Sequence, residues 1–201
     1  MNVGAESPED YGNYYAWGET KAYGEEDTSN DHNYSYNGNS SYKKTYYDWS
    51  TYKWCNGSYN SQTKYNTDSS YGTVDNKKVL DLADDAAYVN WGENWRMPTK
   101  AEQDELRNNC TWTWTSINGK NGYKVSSKKD SSKYIFLPAA GYRYDTALLY
   151  EGFYGDYWSR ELDASDSYNA YNLYFYPGGV DTEYYTRSDG RSVRAVRVAS
   201  E

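Results

Sequence analysis

The sequence predicts an α+β fold with two helices, short antiparallel sheets and much loop. Three observations carry that expectation. Thr99-Lys100-Ala101-Glu102, with Pro98 just ahead of it, is a capping box that opens a helix. Cys110–Thr115 alternates apolar and β-branched polar residues, and Asn118-Gly119 behind it is a hairpin signal. Ile135-Phe136-Leu137 is an apolar run that reads as a strand buried on both faces, and Pro138 ends it because proline has no N–H to donate.

Taken in order, Ser7-Pro8-Glu9-Asp10-Tyr11-Gly12 reads as a turn or one short helical turn with Ser7 at the cap, and Tyr14-Tyr15-Ala16-Trp17-Gly18-Glu19 as a short aromatic strand. Residues 21–72 form a Tyr/Asn/Ser-rich insertion of low complexity, expected to be loop pinned by Trp49 and Trp54. Short strands are arguable inside it around Tyr46–Trp49 and Tyr52–Trp54. Leu80–Trp91 reads as a helix with acids in its first turn, a packing stripe of Leu82, Ala83, Ala86 and Ala87, and Gly92 as its stop. The second helix runs from the capping box to about Asn108 and buries Leu106. Asn121-Gly122 is a further hairpin signal, Tyr123-Lys124-Val125 returns as a strand, and Tyr134–Leu137 pairs after another turn. Ser192–Val198 is a last strand, expected beside Ile135–Leu137 in the core sheet. The chain between them, residues 142–189, is then a long connection that leaves the sheet and returns, pinned by Trp158 and Leu173-Tyr174-Phe175.

Composition narrows the class. The 201 residues suit one domain, residues 1–201, that carries the insertion. Aliphatic residues are scarce, but 27 Tyr and 8 Trp supply an aromatic core, since each ring buries roughly 150–250 Å². A net charge of −8 argues against nucleic acid as a partner. No apolar stretch is long enough for a transmembrane helix, so direct membrane insertion is not expected. The first residues carry no signal-peptide pattern and read as mid-domain sequence, so an export signal is expected to be missing from this chain. Cys55 and Cys110 could pair or stay free, because spacing alone does not decide.

Chemistry-bearing motifs are absent from the sequence: no G-x-S-x-G, P-loop, G-x-G-x-x-G or H-E-x-x-H. The single histidine, His32, sits in the insertion and reads as an exposed loop residue. Asp84-Asp85 reads as a solvated helix start rather than a carboxylate pair. Asp163–Asp166 has oxygen donors suited to calcium but no EF-hand spacing. No catalytic residue, metal or cofactor is therefore expected. What remains is a binding surface. Residues 142–189 mix Tyr with Asp, Asn, Ser, Gly and Arg, the residue diet of antibody paratopes, and Tyr184-Tyr185 is expected to be exposed.

Several stretches carry a resemblance: Asn2-Val3-Gly4-Ala5, Pro8-Glu9-Asp10-Tyr11-Gly12, Tyr15-Ala16-Trp17-Gly18-Glu19, Trp95-Arg96-Met97-Pro98-Thr99, Phe136-Leu137-Pro138-Ala139-Ala140-Gly141-Tyr142-Arg143, Tyr157-Trp158-Ser159 and Gly190-Arg191-Ser192-Val193-Arg194-Ala195-Val196. Together they resemble the FISUMP-type (Fibrobacter succinogenes major paralogous) domain of gut and rumen bacteria. That resemblance implies a C-type-lectin-like, formylglycine-generating-enzyme-like fold. It also implies kinship with the variable proteins of diversity-generating retroelements, whose C-terminal surface positions change ligand specificity. On it, the ligand-binding positions are Tyr144, Glu151, Phe153, Asp156, Arg160, Asp163, Asp166, Tyr176, Asp181, Glu183, Tyr184, Tyr185 and Ser188. The expected protein is a non-enzymatic, monomeric binder of a protein or glycan ligand, secreted or held at a bacterial surface, with a carbohydrate-binding or adhesion module as the alternative. Tyr144, Asp156, Arg160, Asp181, Glu183 and Tyr185 are expected to share one exposed patch.

Overall fold

In the computed structural model, residues 1–24, 34–36, 39–42, 48–145 and 147–198 are described. His32 and Tyr46, the start of one arguable strand, lie outside them. The elements in order are β1 (Tyr14–Tyr15), β2 (Tyr34–Tyr36), β3 (Asn39–Tyr42), α1 (Ala86–Trp91), β4 (Trp95–Arg96), α2 (Lys100–Asn109), β5 (Cys110–Ile117), β6 (Lys120–Ser127), β7 (Tyr134–Pro138), β8 (Tyr142–Tyr144), β9 (Ala147–Leu149), β10 (Gly155–Leu162), β11 (Asn169–Tyr176), β12 (Gly179–Thr186), β13 (Arg191–Ser192) and β14 (Val196–Arg197). The fold is α+β, built of small, mostly antiparallel sheets with two helices and much loop.

Five strands in the order β1-β13-β10-β11-β12 make the central sheet. Strand alternation divides its side chains. Tyr157, Leu173, Phe175 and Val180 point to one face, where they pack on Tyr123, Val125 and Leu137 of the β5-β6-β7 sheet and on Leu106 of α2. Trp158 points to the other, where it joins Trp17, Tyr65, Leu80 and Val193. Aromatic rings dominate both halves of the core: Trp17, Trp158 and Phe175 are completely buried. The Tyr and Trp polar atoms find backbone acceptors, as when the Trp158 indole donates to the Tyr15 carbonyl at 2.8 Å and Tyr157 donates to that of Pro138 at 2.6 Å.

The capping box forms as its sequence implies. Thr99 accepts from the Glu102 N–H at 3.1 Å, and the Glu102 carboxylate accepts from the Thr99 N–H at 2.8 Å. Arg96 grips the same carboxylate with two 2.7 Å contacts and holds it well below the usual range, at about 2. Asn118-Gly119 makes the tight β5–β6 turn, both residues at positive φ (49° and 80°), as a type I′ turn needs.

Elsewhere the structure departs from the sequence reading. The first helix is half the length the pattern suggests: Leu82–Asp84 is 3-10, and α1 starts only at Ala86. Leu82 and Ala83 are exposed, leaving Ala86 and Ala87 to pack. Asp84 and Asp85 are buried, not solvated. Asp84 receives Lys64 at 2.7 Å and the Tyr65 hydroxyl at 2.6 Å, whereas Asp85 caps α1 through the N–H groups of Ala87 and Tyr88 and reaches that of Met97. Tyr52–Trp54 is turn rather than strand, and Leu106 is half-buried. Asn121-Gly122 lies inside β6 rather than in a turn, and glycine is needed there because a Cβ on Gly122 would run into the Leu137 carbonyl of the neighbouring strand. Both cysteines are free thiols.

The tail differs most. β7 pairs with β6 and not with the C-terminal segment, which divides into β13, next to β1 and β10, and β14, paired with β4. Residues 142–189 are not an irregular excursion. They supply the β8–β9 hairpin and three eight-residue strands, the larger part of the central sheet. Trp158, Leu173 and Phe175 are buried beneath them.

Candidate functional site

The β8–β9 hairpin folds over the Trp158 face of the central sheet. Its entry is set by Gly141 at φ 64°, where any Cβ would meet the Leu149 carbonyl, and its turn by Asp145 at φ 50°. Between hairpin and sheet lies a cleft of about 400 Å³, lined by Tyr142, Tyr144, Tyr150, Tyr154, Asp156, Tyr174, Tyr185, Asp189 and Arg191. Six of these nine residues are tyrosines.

Five of the tyrosines form a continuous chain of ring contacts. Tyr142 stacks on Tyr150 with centroids 6.0 Å apart, Tyr150 meets Tyr154 at 4.5 Å, Tyr154 meets Tyr174 at 5.3 Å, and Tyr174 meets Tyr185 at 6.3 Å. Arg191 closes the circle from below, its guanidinium 4.4 Å from the Tyr185 ring and 4.9 Å from that of Tyr142. Trp158 supports the same guanidinium at 5.0 Å. Tyr144 stands at the rim, 59% exposed.

The floor is charged. Arg191 is buried to 1% exposure by the β1 and β10 strands on either side of β13. It donates to Asp156 Oδ1 at 2.8 Å and more weakly to Asp189 Oδ2 at 3.4 Å. Asn172, opposite Trp158 on β11, donates to the same Asp156 oxygen at 2.9 Å. Several buried atoms here have no hydrogen-bond partner among the described residues: Asp156 Oδ2, Asn172 Oδ1 and Arg191 Nε. Burial pushes the Asp156 carboxyl up, and it pushes Asp189 up to about 6, with Arg191 only partly opposing it. Burial likewise raises the Tyr142, Tyr174 and Tyr185 phenols, so they stay neutral hydrogen-bonding groups at physiological pH.

Of the positions expected to bind ligand, the cleft gathers Tyr144, Asp156 and Tyr185. The expected single exposed patch does not form. Asp156 is buried in its ion pair. Arg160 follows an irregularity in β10 and turns away to donate to the Leu80 carbonyl at 2.8 Å. Asp181 pairs with Arg107 of α2. Asp163 and Ser188 are buried, Asp163 accepting from its own loop at Ser165. Asp166 serves the same loop through the Tyr168 N–H. Tyr176 and Tyr184 are exposed on neighbouring strands outside the cleft, as Tyr185 is inside it. Glu183 is half-buried beside Tyr185, Phe153 leans on Tyr154 from outside, and Glu151 faces Tyr11 and Tyr14. Among the described residues no group of three or more His, Cys, Asp or Glu side chains could hold a metal ion.

Comparison with family models, curated proteins and solved structures finds no match to this chain.

Tyr142, Tyr150, Tyr154, Tyr174 and Asp189 lie in the region 142–189 expected to bind ligand but were not among the individual positions named, and Arg191 lies outside that region, in the stretch read as the last strand. One signal was present: Ala170, Asn172, Tyr174 and Tyr176 alternate with Tyr171, Leu173 and Phe175, so Tyr174 falls opposite the buried Leu173 and Phe175.

Proposed function

We propose that this chain is a non-enzymatic ligand-binding protein and that the tyrosine-walled cleft is its recognition site. The observation that carries the reading is the circle of five tyrosines standing over a buried, incompletely satisfied Asp156–Arg191–Asp189 floor. Rigid aromatic walls give contact area at low entropic cost, and unpaired buried polar atoms give a ligand something to satisfy. Catalysis fits less well. A glycosidase sets two carboxylates on either side of the scissile bond, whereas Asp156 and Asp189 are both drawn onto one guanidinium.

On this proposal the chain has a C-type-lectin-like fold of the FISUMP type, is displayed on or secreted from a bacterial cell, and acts as the variable protein of a diversity-generating retroelement. The strands β10 to β12 and the β8–β9 hairpin would be the fixed frame, with Tyr144 and Tyr185 among the positions that vary. A nearby reverse transcriptase and an imperfect repeat of the 3′ coding sequence would be found beside the gene; a locus with neither would remove the retroelement from the proposal. A second reading, a carbohydrate-binding module, is favoured by the same aromatic walls, on which sugar rings stack. A combined glycan and protein array separates the two. Selective capture of a protein supports the first and selective capture of an oligosaccharide the second. Turnover of any captured ligand would overturn the non-enzymatic reading.

A further inference from the structure

The cleft has a charge imbalance. Two carboxylates, Asp156 and Asp189, face one guanidinium, and among the described residues no lysine or second arginine lines the walls. With all three ionised the floor carries one net negative charge. Arg191 commits its closest contact to Asp156. Asp189, by contrast, accepts one side-chain hydrogen bond among the described residues, the 3.4 Å contact from Arg191, too long for a charge-assisted bond of ordinary strength. Asp156 Oδ2, on a side chain almost wholly buried, has no hydrogen-bond partner among the described residues.

The walls suit a positive charge. Tyrosine ring faces attract cations, and Arg191 already shows these rings doing so at 4.4 and 4.9 Å. Tyr150, Tyr154 and Tyr174 hold no protein cation, among the described residues, although they continue the same circle. The guanidinium of Arg143, which leaves the same hairpin, lies over Tyr14 and Tyr23 instead. A neutral ligand could stack here but would leave Asp189 uncompensated, and an anion would meet net negative charge.

We infer that the cleft takes an organic cation, a substituted ammonium seated among Tyr150, Tyr154 and Tyr174 with Asp189 as its counter-ion. This rests on the reading of the cleft as the binding site and names the ligand class. The groups that face Asp189 are Arg191 on its own segment, Asp156 from β10 and Tyr142 from β8. Asp189 changes charge near neutrality, with its carboxyl pushed up to about 6.

The test titrates the whole chain with choline and with its neutral carbon isostere 3,3-dimethylbutanol, following tyrosine ring resonances by NMR. Choline is expected to shift the cleft tyrosines at least tenfold more strongly than the isostere at equal concentration. Its affinity should fall about tenfold from pH 7.5 to pH 5, as the ionised fraction of a carboxyl with pKa about 6 falls. Asp189→Asn should remove both the preference and the pH dependence. If that variant does not fold, the two probes on the unaltered protein still decide. A lysine-containing peptide against its norleucine counterpart tells a side-chain source from a free amine. Equal binding of choline and isostere, tighter binding at pH 5, or no shift with any ammonium probe overturns the inference. A neutral oligosaccharide that shifts the cleft tyrosines when choline does not would leave the binding site standing and remove only the cation.

Discussion

Replacing Arg191 by methionine tests the floor of the cleft. Arg191 and Asp156 are each about 2% exposed at the side chain and 2.8 Å apart. Removing the guanidinium leaves Asp156 in the sheet interior with one donor, Asn172. Stranding one partner of a buried pair costs about 3–5 kcal/mol. For a chain of this length each kcal/mol moves the midpoint by roughly 2–4 °C, so Arg191→Met should melt on the order of 10 °C below the parent. Adding Asp156→Leu removes the stranded charge, and the double variant should recover most of the loss. Asp189 does not block that recovery, because it reaches the cleft and can take a proton. Thermal and urea unfolding of the parent, both single variants and the double variant complete the cycle. A single variant melting within 2 °C of the parent, or a double variant less stable than either single one, refutes the reasoning.

Three further outcomes follow from the packing. Between pH 3.8, the ordinary aspartate value, and about 6 the folded chain keeps a proton on Asp189 that the unfolded chain has released, so this group's contribution to stability falls as pH rises. The full penalty, about 3 kcal/mol, is reached above pH 6; Asp189→Asn should therefore stabilise at pH 7.5 and make little difference at pH 4, and the same gap at both pH values would contradict the assignment. Thr99→Ala should cost about 1 kcal/mol by removing the acceptor for the Glu102 N–H, and an unchanged urea midpoint would count against the capping box. Gly155→Ala should cost about 1–3 kcal/mol, since its methyl group would overlap the Phe175 ring on the paired strand β11; normal stability of that variant would show that β10 and β11 are not registered as described.

Local rules were legible where one residue type did one job. Thr99 and Glu102 announced α2, and Asn118-Gly119 announced a tight turn, because few other residues fill those backbone positions. That Tyr184 and Tyr185 could not both point inward followed from strand alternation, and the structure leaves both exposed, on opposite faces of β12. The tail was harder to read because tyrosine serves both faces of its strands. In β11, Tyr171, Tyr174 and Tyr176 sit among Leu173 and Phe175, so a period of two does not separate polar from apolar residues. Arg191 looked like one more strand residue near the chain end. Its main partner, Asp156, reaches it only once β10 and β13 run side by side. Asp84 and Asp85 misled for a similar reason, since their partners Lys64, Tyr65 and Met97 come from other parts of the chain.

The most direct test of the cleft as the binding site uses its two most exposed tyrosines. Tyr144 and Tyr150 are 59% and 53% exposed, so removing both rings should leave the core intact. A ligand captured on the array would be titrated against the parent and against Tyr144→Ala/Tyr150→Ala by calorimetry, with melting curves in parallel. Binding hot spots rich in tyrosine lose about 2 kcal/mol or more on truncation, so affinity should fall at least about 30-fold with the midpoint within 2 °C of the parent. Unchanged affinity in a folded double variant would place recognition elsewhere on the protein.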